Sequence, residues 1–594
     1  MSYRAPVEDI LFAMIHAGGL DKGIASGIYA DLDDGVASAI LEEAGKFAAD
    51  RLAPLNKVGD SHGTPFRDGK VTMPPGWLEA YRDWAAAGWC SIVAAPDHGG
   101  QGLPILLNSA CTEMWNSANM AFSLNPLLTM GAVEALTAHG SDALKKTYLE
   151  RMISGEWTGT MNLTEPGAGS DLAQMRTRAE RAGDGSYRIT GSKIFITYGE
   201  HDLTGNIIHL VLARLPDAPA GTRGISLFLV PKFLVNADGS LGARNDVRCH
   251  SIEHKLGIHA SPTCTMVFGD NGGAIGYLIS EENRGLACMF TMMNNARLGV
   301  GLQGVAIAER AYQHALAYAG ERKQGRAVGS ASAGPDAIIA HPDVKRMLLD
   351  MRTKTAAARA LCFATAGALD RAERLEDAAQ RRAAHDLASL LTPVAKAFST
   401  DIGIEVASTG VQIHGGMGFV EETGAAQHLR DARIAAIYEG TNGIQAIDLV
   451  TRKLPLAEGE TVRAAIRSYR DAADKAAAIN DPGFVRIGQI LRGAVASLEK
   501  CTDFMLKALR DAPNDALAGA TPYLRLYGVA AGGAYLAEQA LAARVAKAAG
   551  ETDPANDRRI ADARFFIENH ASSAGGLEIA ILEGADEINA SYGT

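Results

Sequence analysis

The sequence predicts a multidomain α+β protein in which a helical domain, a central β domain and a helical bundle are followed by an additional helical domain. The chain has 594 residues, which is more than one hydrophobic core usually supports. Apolar residues recur at helical spacing over most of its length, and short segments rich in Ile, Val, Thr and Phe interrupt that spacing only in the middle. No fixed-period repeat is present, so a solenoid is not indicated.

Four domains are expected, in the order helical, β, helical, helical. Their predicted limits are 1–159, 160–282, 283–455 and 456–594. In the first domain Ile40, Ala44 and Phe47 fall close to one helical face, and Leu390 and Val394 do so in the third. The β domain is predicted from SYRITGSKIFIT, NIIHLVLARL and RGISLFLVPKF, which are separated by Gly, Asp and Pro.

Composition excludes several classes of protein. The net charge of -11 argues against a nucleic-acid partner or a membrane-adsorbed surface, because both need a positive field. Seven scattered cysteines without a Cys-x-x-Cys pair suggest neither a disulfide framework nor a metal site. The N-terminus lacks a signal-peptide pattern, and no apolar run approaches the roughly 20 residues of a spanning helix. We therefore expect a cytoplasmic protein without a membrane span.

The stretch GVGLQG, residues 299–304, matches the glycine pattern of a dinucleotide-binding loop. That fingerprint requires a strand before it and a second strand that ends in an acidic residue. Here the residues before the acidic candidate Glu321 read AYQHALAYAG, with no β-branched run. We interpret the glycines as small residues on a buried helix, which makes a nicotinamide dehydrogenase the remote alternative.

Four stretches carry residue types suited to a ligand site: LTEPGAGSDLA (163–173), GSKIFITYGE (191–200), ERKQGRA (321–327) and QIHGGMGF (412–419). In the first, the glycines let the backbone approach a flat or anionic ligand, and Thr164 and Ser170 offer hydroxyls. Ser170 or Asp171 can also cap a helix that follows. Taken singly, LTEPGAGSDLA also fits a capped turn, and GSKIFITYGE fits an ordinary core strand. For ERKQGRA, solvated cations at a helix C-terminus are the favoured interpretation, and for QIHGGMGF a packing role is as well supported as a ligand contact.

Glu439 in IYEGTNGIQ follows an apolar run and precedes a break in the helical pattern. A random glutamate is most often a solvated surface residue. This one has no evident cation beside it in the sequence, and a carboxylate held against apolar walls has its pKa raised by desolvation. That is the property of a usable general base.

Together the motifs TEPGAGSD, KIFIT, ERK, QIHGGMGF and IYEGT, in this order and spacing, closely resemble the acyl-CoA dehydrogenase family. The resemblance spans about residues 34–455. It implies that family's fold, with an N-terminal helical domain, a central β-barrel-like domain and a helical bundle. The additional C-terminal helical domain resembles the longer members of the family.

The resemblance implies FAD as the cofactor. Residues that match the family's FAD contacts are Met161, Leu163, Thr164, Phe195, Ile196, Thr197, Arg322, Gln412, Gly416 and Thr441. Arg322, Gln412 and Gly416 match positions that reach the FAD of a neighbouring subunit, which implies a homodimer or a higher homo-oligomer. Phe195 replaces the family's usual tryptophan, and Gly443 stands where some relatives carry a glutamine that contacts FAD.

The resemblance also implies an acyl-CoA substrate. Residues that match its binding positions are Ser170, Asn294, Arg297, Tyr438 and Gly440. Asn294 stands where a relative carries aspartate, which puts one CoA hydrogen bond in question.

In the family's reaction Glu439 would remove the α-proton of the thioester while its own N–H and a ribityl hydroxyl of FAD hold the thioester carbonyl. The β-hydrogen would leave as hydride to flavin N5. Some branched-chain members place the base immediately before the arginine on the earlier helix, but that position is Ala296 here.

The resemblance leaves the substrate and the acceptor as expectations. FITYGEHDLTGNIIHLVLARLPDAP is most like a subgroup that oxidises 3-(methylthio)propanoyl-CoA to 3-(methylthio)acryloyl-CoA, and a straight-chain acyl-CoA is the alternative. The expected electron acceptor is electron-transfer flavoprotein. An acyl-CoA oxidase that uses oxygen, or a flavin-free helical scaffold, would be the other classes.

Overall fold

The computed structural model describes residues 3–30 and 32–591. The chain divides into two compact units. One comprises Met1–Lys46, Ile105–Ser117 and Arg297–Thr594, and the other comprises Phe47–Pro104 and Ala118–Ala296. The predicted domain limits follow the linear order of helical and β segments and stay a prediction.

The helices before the main sheet are α1 (Val7–Ala13), α2 (Leu20–Ala25), α3 (Asp34–Phe47), α4 (Ala53–His62), α5 (Trp77–Ala86), α6 (Ile105–His139) and α7 (Asp142–Ile153). Helix α6 is interrupted at Asn119, whose backbone is extended. The N-terminus of α6 is capped by Asp370, whose carboxylate accepts hydrogen bonds from the Ile105 and Leu106 N–H groups at 2.8 and 2.9 Å.

The strands are β1 (Phe66–Arg67), β2 (Lys70–Val71), β3 (Trp157–Asn162), β4 (Arg178–Arg181), β5 (Tyr187–Thr197), β6 (Asn206–Arg214), β7 (Ile225–Pro231), β8 (Phe233–Val235), β9 (Leu241–Arg244), β10 (Val247–Ile252), β11 (Thr263–Phe268) and β12 (Ala274–Ile279). Hydrogen bonds order the main sheet β10-β11-β5-β12-β7-β6-β3. Strand β4 pairs with both β5 and β6, so β4, β5, β12, β7 and β6 form a closed ring. This ring agrees with the predicted barrel-like domain.

Strands β6 and β7 are buried along both faces, as their near-continuous apolar sequences require. On one side Trp157, Leu210 and Leu227 pack with side chains of α7. On the other side Phe228 and Phe268 belong to a second core cluster. The middle of the sheet therefore lies between two apolar layers, which makes β5 and the end of β3 a rigid support for neighbouring loops.

The helices of the bundle are α8 (Gly285–Glu321), α9 (Pro342–Arg374), α10 (Ala378–His414), α11 (Gly416–Phe419), α12 (Ala425–Ala432) and α13 (Asn442–Asp448). The glycine stretch 299–304 lies within α8. A Cβ on Gly304 would stand 2.2 Å from the Ser399 carbonyl oxygen, and one on Gly301 would stand 2.9 Å from that of Ala395. These glycines let α8 and α10 approach closely, so the interpretation as small helical residues is confirmed.

The C-terminal helices are α14 (Glu460–Ala477), α15 (Pro482–Asp511), α16 (Pro513–Ala518), α17 (Ala520–Ala548), α18 (Pro554–Asn569), α19 (Ala574–Glu583) and α20 (Ala585–Ala590). Helix α17 packs on α9, α10 and α13 as well as on α14 and α15. Gly528 lies against the Phe398 ring, where a Cβ would be 2.3 Å from the ring. Within the described part of the chain, no helix is long and apolar enough to cross a bilayer.

Candidate functional site

Glu439 occupies a sharp turn between a short 3₁₀ segment, Arg433–Ala436, and α13. Its φ is +56° and that of Gly440 is +80°, so two successive residues have left-handed backbone. Glycine adopts this conformation without strain, whereas it costs a glutamate of the order of 1 kcal/mol or more. The turn ends at Thr441, whose hydroxyl caps α13 by accepting the Ile444 N–H at 3.2 Å.

The Glu439 side chain is half-buried, and burial raises the pKa of its carboxyl. The positive charges of Arg297 and Lys396 act in the opposite direction without cancelling the shift. No cation is evident beside Glu439 in the sequence, but α8 and α10 bring Arg297 and Lys396 close enough to act on this carboxyl. Among the described residues, none donates a hydrogen bond to the carboxylate, and none accepts one from the Glu439 N–H.

The backbone of the turn is held from two directions. Gln445 Nε2 donates to the Glu439 carbonyl oxygen at 3.1 Å. Lys396 Nζ donates to the Gly440 carbonyl oxygen at 2.8 Å and to Asn442 Oδ1 at 2.9 Å. These contacts keep Glu439 and Gly440 in their uncommon backbone conformation.

Tyr438 and Arg297, both predicted to bind substrate, are engaged with protein groups. The Tyr438 hydroxyl donates to Gln303 Oε1. Arg297 is buried and pairs with Asp448 at 3.1 Å. Its side chain therefore supports the interior beside the turn, although its Nε has no hydrogen-bond partner among the described residues. The side chain of Asn294, the remaining candidate on this helix, lies outside the described residues.

Phe195 projects from a β-bulge in the second unit. Strand β5 pairs Ile196 with Cys264 and Lys193 with Met266, so it has one more residue than β11 between these pairs. Phe195 lies in the extra stretch with φ of +61°, and 58% of it is exposed. An exposed aromatic ring on a rigid strand is suited to the face of a flat ligand.

The two segments predicted to line a flavin lie side by side. The Ile194 N–H donates to the Thr164 carbonyl oxygen at 2.9 Å, and the Thr160 hydroxyl donates to the Thr197 carbonyl oxygen at 2.7 Å. Thr164 and Thr197 are half-buried, and their hydroxyls have no hydrogen-bond partner in the described chain. They remain available to a ligand.

The other residues of these segments contribute differently. Met161 and Ile196 are buried in the two core clusters, and Leu163 packs against the first of them. Their side chains face the protein interior, so only their backbone is available to a cofactor. Sequence alone could have predicted this for Ile196, because neighbouring strand residues alternate between faces.

The loop that carries Ser170 differs from the expectation in one respect. Ser170 is exposed, as a pantetheine contact requires, but no helix follows it. Asp171 instead accepts the Ala173 N–H at 2.8 Å and closes a turn. The start of the loop is anchored by Glu165, which forms a buried ion pair with Lys193 at 2.9 Å.

Arg322, Gln412 and Gly416 are all exposed. Arg322 follows α8 and Gln412 lies near the end of α10; these helix ends are adjacent because the Tyr318 and His414 rings stack with centroids 4.3 Å apart. Beside them Met417 is 47% exposed and Phe419 87% exposed. These two exposed apolar side chains, with polar groups around them, have the character of a surface that contacts another molecule.

Lys396 is the residue that the sequence analysis missed. It stands in VAKAF on the apolar stripe of α10, where Leu390, Leu391 and Val394 are buried. Desolvation lowers the pKa of its ammonium to about 7, although Glu439 and Asp401 raise it. The sequence could have indicated this residue, because a single lysine interrupts an apolar helical stripe. Lysine is rarely buried without a partner, so such a position predicts a specific polar contact.

Family models match nearly the whole chain. An acyl-CoA dehydrogenase N-terminal domain matches residues 37–156, a middle domain 160–271 and a C-terminal domain 283–454. A further model, acetyl-CoA dehydrogenase C-terminal like, matches residues 460–591.

Two relatives and one solved structure agree with these matches. The chain is 49% identical over 570 residues to a 3-methylmercaptopropionyl-CoA dehydrogenase from Ruegeria pomeroyi, covering 96% of each protein. It is 37% identical to a butyryl-CoA dehydrogenase from Syntrophomonas wolfei, covering 81% of this chain and 80% of that one.

The crystal structure of a Bacillus anthracis acyl-CoA dehydrogenase complexed with FAD shares the fold with a TM-score of 0.75 at 20% identity, over 94% of this chain and 89% of that one. The chain therefore belongs to the acyl-CoA dehydrogenase family of FAD-dependent oxidoreductases.

Proposed function

We propose that this chain catalyses the FAD-dependent α,β-dehydrogenation of an acyl-CoA thioester, with Glu439 as the base that removes the α-proton. One observation carries the assignment: the Glu439 carboxyl has a raised pKa and receives no hydrogen bond from the described residues. A carboxylate in that state keeps its affinity for a proton, which a base for a weakly acidic C–H needs. Ala296, at the family's alternative base position, offers no competing carboxylate.

The turn also supplies an electrophilic contact. The Glu439 N–H has no acceptor in the described part of the chain, so it is free to donate to the thioester carbonyl oxygen. Negative charge develops on that oxygen as the α-proton leaves, and a fixed donor stabilises the charge. The left-handed backbone at Glu439 and Gly440 presents the base and this donor from one short segment.

The residues of the second unit fit FAD. The exposed Phe195 ring offers an apolar face, and the Thr164 and Thr197 hydroxyls are unpaired within the described chain. Met161, Leu163 and Ile196 would hold the cofactor through their backbone. FAD, when bound, supplies the acceptor for the two electrons that leave with the β-hydrogen. Thr441 stays a proposed FAD contact, and its hydroxyl can donate a proton while its oxygen caps α13.

For the substrate we propose a short thioether, 3-(methylthio)propanoyl-CoA. The 49% identity to the Ruegeria pomeroyi enzyme supports this choice. A straight-chain acyl-CoA is the second candidate, favoured by the similarity to a butyryl-CoA dehydrogenase. Ser170, Tyr438 and Gly440 stay the proposed substrate contacts on this chain. Anaerobic flavin bleaching across a panel of acyl-CoA thioesters distinguishes the two candidates. The better substrate is the one that bleaches the flavin at the lowest thioester concentration.

For the partners we propose electron-transfer flavoprotein as acceptor and a homo-oligomer of at least two subunits. The exposed Arg322, Gln412 and Gly416, together with Met417 and Phe419, support a subunit contact at this surface. Sedimentation of the FAD-loaded protein tests the oligomer. Peroxide formation during turnover without an added acceptor would instead favour an oxidase. A cytoplasmic location stays part of the proposal.

The decisive test of the base is Glu439→Gln. The amide keeps the size of the side chain but cannot accept the proton, so we expect turnover to fall by about 10²–10⁴-fold while FAD binding is retained. Steady-state assays and the flavin absorption spectrum measure the two properties. Colourless wild-type protein that does not respond to acyl-CoA would remove the proposal, as would near-normal turnover of the Gln variant.

A further inference from the structure

The turn that carries Glu439 depends on a buried polar cluster formed by Lys396, Asp401 and Asn442. Lys396 is fully buried on α10, and its ammonium bonds the Gly440 carbonyl oxygen and Asn442 Oδ1. Asn442 Nδ2 donates to Asp401 Oδ1 at 2.7 Å and to Thr400 Oγ1 at 3.0 Å. Every member of this cluster belongs to one unit, and none is among the residues that match the family's contacts.

The cost of burying this lysine needs an explanation. A buried ammonium loses its hydration, and well-packed apolar residues often serve stability equally well or better. Lys396 makes no ion pair within 4.0 Å with a carboxylate of the described residues. Its ammonium donates to the Gly440 carbonyl oxygen and to the Asn442 side-chain amide, both in the turn. These hydrogen bonds therefore stabilise the conformation of the turn.

The turn is a segment that needs such support. Glu439 is held at φ of +56°, a conformation that persists in a non-glycine residue only when its surroundings over-determine it. Gln445 bonds the carbonyl of Glu439, and Lys396 bonds the carbonyl of the next residue. Together they fix both peptide groups that follow the base.

We propose that Lys396 is a positioning residue for the dehydrogenation: its ammonium, with Asn442 and Asp401, holds the Glu439–Gly440 turn in its reactive geometry and places a positive charge near the base. This inference rests on the proposed function of Glu439. The charged groups that act on Lys396 are Glu439, Asp401 and Arg297, and those that act on Glu439 are Arg297 and Lys396. Lys396 therefore has two separable roles, one through hydrogen bonds and one through charge.

The test uses Lys396→Met in the FAD-loaded full-length enzyme. Methionine has a similar length and suits an apolar environment, but it removes the 2.8 Å bond to the Gly440 carbonyl oxygen and leaves only the longer bond from Gln445 Nε2 at 3.4 Å. Because a misplacement of about 1 Å can cost about 10²-fold in rate, we expect kcat to fall at least about tenfold. We expect KM to change by less than about threefold, because the interaction serves the transition state rather than initial binding.

A pH profile separates positioning from a general loss of packing. Removing the ammonium removes a charge that lowers the pKa of Glu439. The acid limb of kcat/KM, where Glu439 becomes protonated, is then expected to move to higher pH. Asn442→Ala keeps the Lys396 ammonium but removes Asn442 Oδ1, one of its hydrogen-bond acceptors. We therefore expect a lower kcat, with little movement of the acid limb of kcat/KM. This variant decides the question if Lys396→Met does not fold.

The matched control is Lys354→Met. Lys354 on α9 is also largely buried, but it pairs with Asp350 and Glu405 at 2.9 and 3.0 Å. Those carboxylates keep His570 and Arg525 as partners, so we expect activity within about twofold of wild type and an unmoved acid limb. If Lys396→Met behaves like this control while Glu439→Gln is inactive, the inference about Lys396 is overturned and the proposed function stands. Active Glu439→Gln would remove the proposed function itself.

Discussion

Glu165 and Glu439 are glutamates in glycine-containing turns, one in each unit, and their surroundings are opposite. The buried Glu165 carboxylate accepts bonds from Lys193 Nζ, the Arg176 and Thr177 N–H groups and the Thr177 hydroxyl, at 2.5–3.0 Å. Burial alone would raise the pKa of Glu165, but Lys193 and these donors lower it. Glu439 receives no such bond from the described residues, and burial raises the pKa of its carboxyl.

This comparison shows that donors, rather than residue type or local sequence, decide what a buried carboxylate can do. Glu165 is held as an anion and stabilises the start of its loop through Lys193, which also donates to the Leu163 carbonyl oxygen at 3.0 Å. Glu439 has cations near it but no donor on it, so its proton affinity is preserved. The same type of side chain is therefore an anchor at Glu165 and the proposed base at Glu439.

The comparison predicts its largest effect on stability for Glu165→Gln. Gln lacks the charge that pairs with the fully buried Lys193, and leaving one partner of a buried pair costs about 3–5 kcal/mol of unfolding free energy. Glu439→Gln breaks no hydrogen bond to the described residues, so we expect a change of less than about 1 kcal/mol. Urea unfolding followed by circular dichroism measures both.

Glu180 on β4 serves as the control for this experiment. It is exposed and has no ion pair in the described chain, so Glu180→Gln should unfold like the wild type. Equal losses of unfolding free energy in Glu165→Gln and Glu439→Gln would contradict the distinction between an anchoring glutamate and a proposed base.

The same comparison predicts opposite pH responses. Glu165 has a lowered pKa in the folded state, so its stabilisation is present above the pKa of the unfolded chain and is lost as pH falls through the lowered value. Glu439 has a raised pKa, and its stabilisation is lost as pH rises through that value. A base must be ionised, so activity should rise with pH across the same interval.

Two measurements check these signs. In unfolding experiments between about pH 3 and 7, the difference in stability between wild type and Glu165→Gln should shrink as pH falls towards the lowered pKa of Glu165. The acid limb of kcat/KM should lie above about pH 4.3, the ordinary value for glutamate. A limb at or below that value would show that Glu439 is not the titrating base.

The smallest expected effect concerns the helix caps of the two units. Thr441 caps α13 and Ser141 caps α7, each through its side-chain oxygen. Replacing either by Ala should cost about 1 kcal/mol of stability. Only Thr441→Ala should also weaken FAD binding and lower kcat, because α13 begins directly after the base. Fluorescence titration with FAD and steady-state assays compare the two variants; an equal loss of activity in both would count against a special role for the Thr441 turn.

Much of the architecture follows from the chain itself. The helical spacing, the β-rich middle and the glycine positions predicted the order of elements, because these patterns are local and repeat over many residues. The motifs predicted the segments 161–164 and 195–197, the break after α10 and the turn at Glu439. The helix expected after Ser170 was wrong because Asp171 closes a turn instead.

By itself the sequence determined the family, the segments that carry chemistry and the candidate base. Only the tertiary structure decided that Arg297 and Lys396, which are distant in the chain, lie near Glu439. It also decided that the Glu165 carboxylate accepts several hydrogen bonds, one of them from Lys193. It also decided that Phe195 turns outwards on a bulge while Ile196 faces the core. The physical reason is that pKa values and backbone strain depend on which groups lie close together in space. Those groups come from residues far apart in the chain, and no local sequence pattern predicts such contacts.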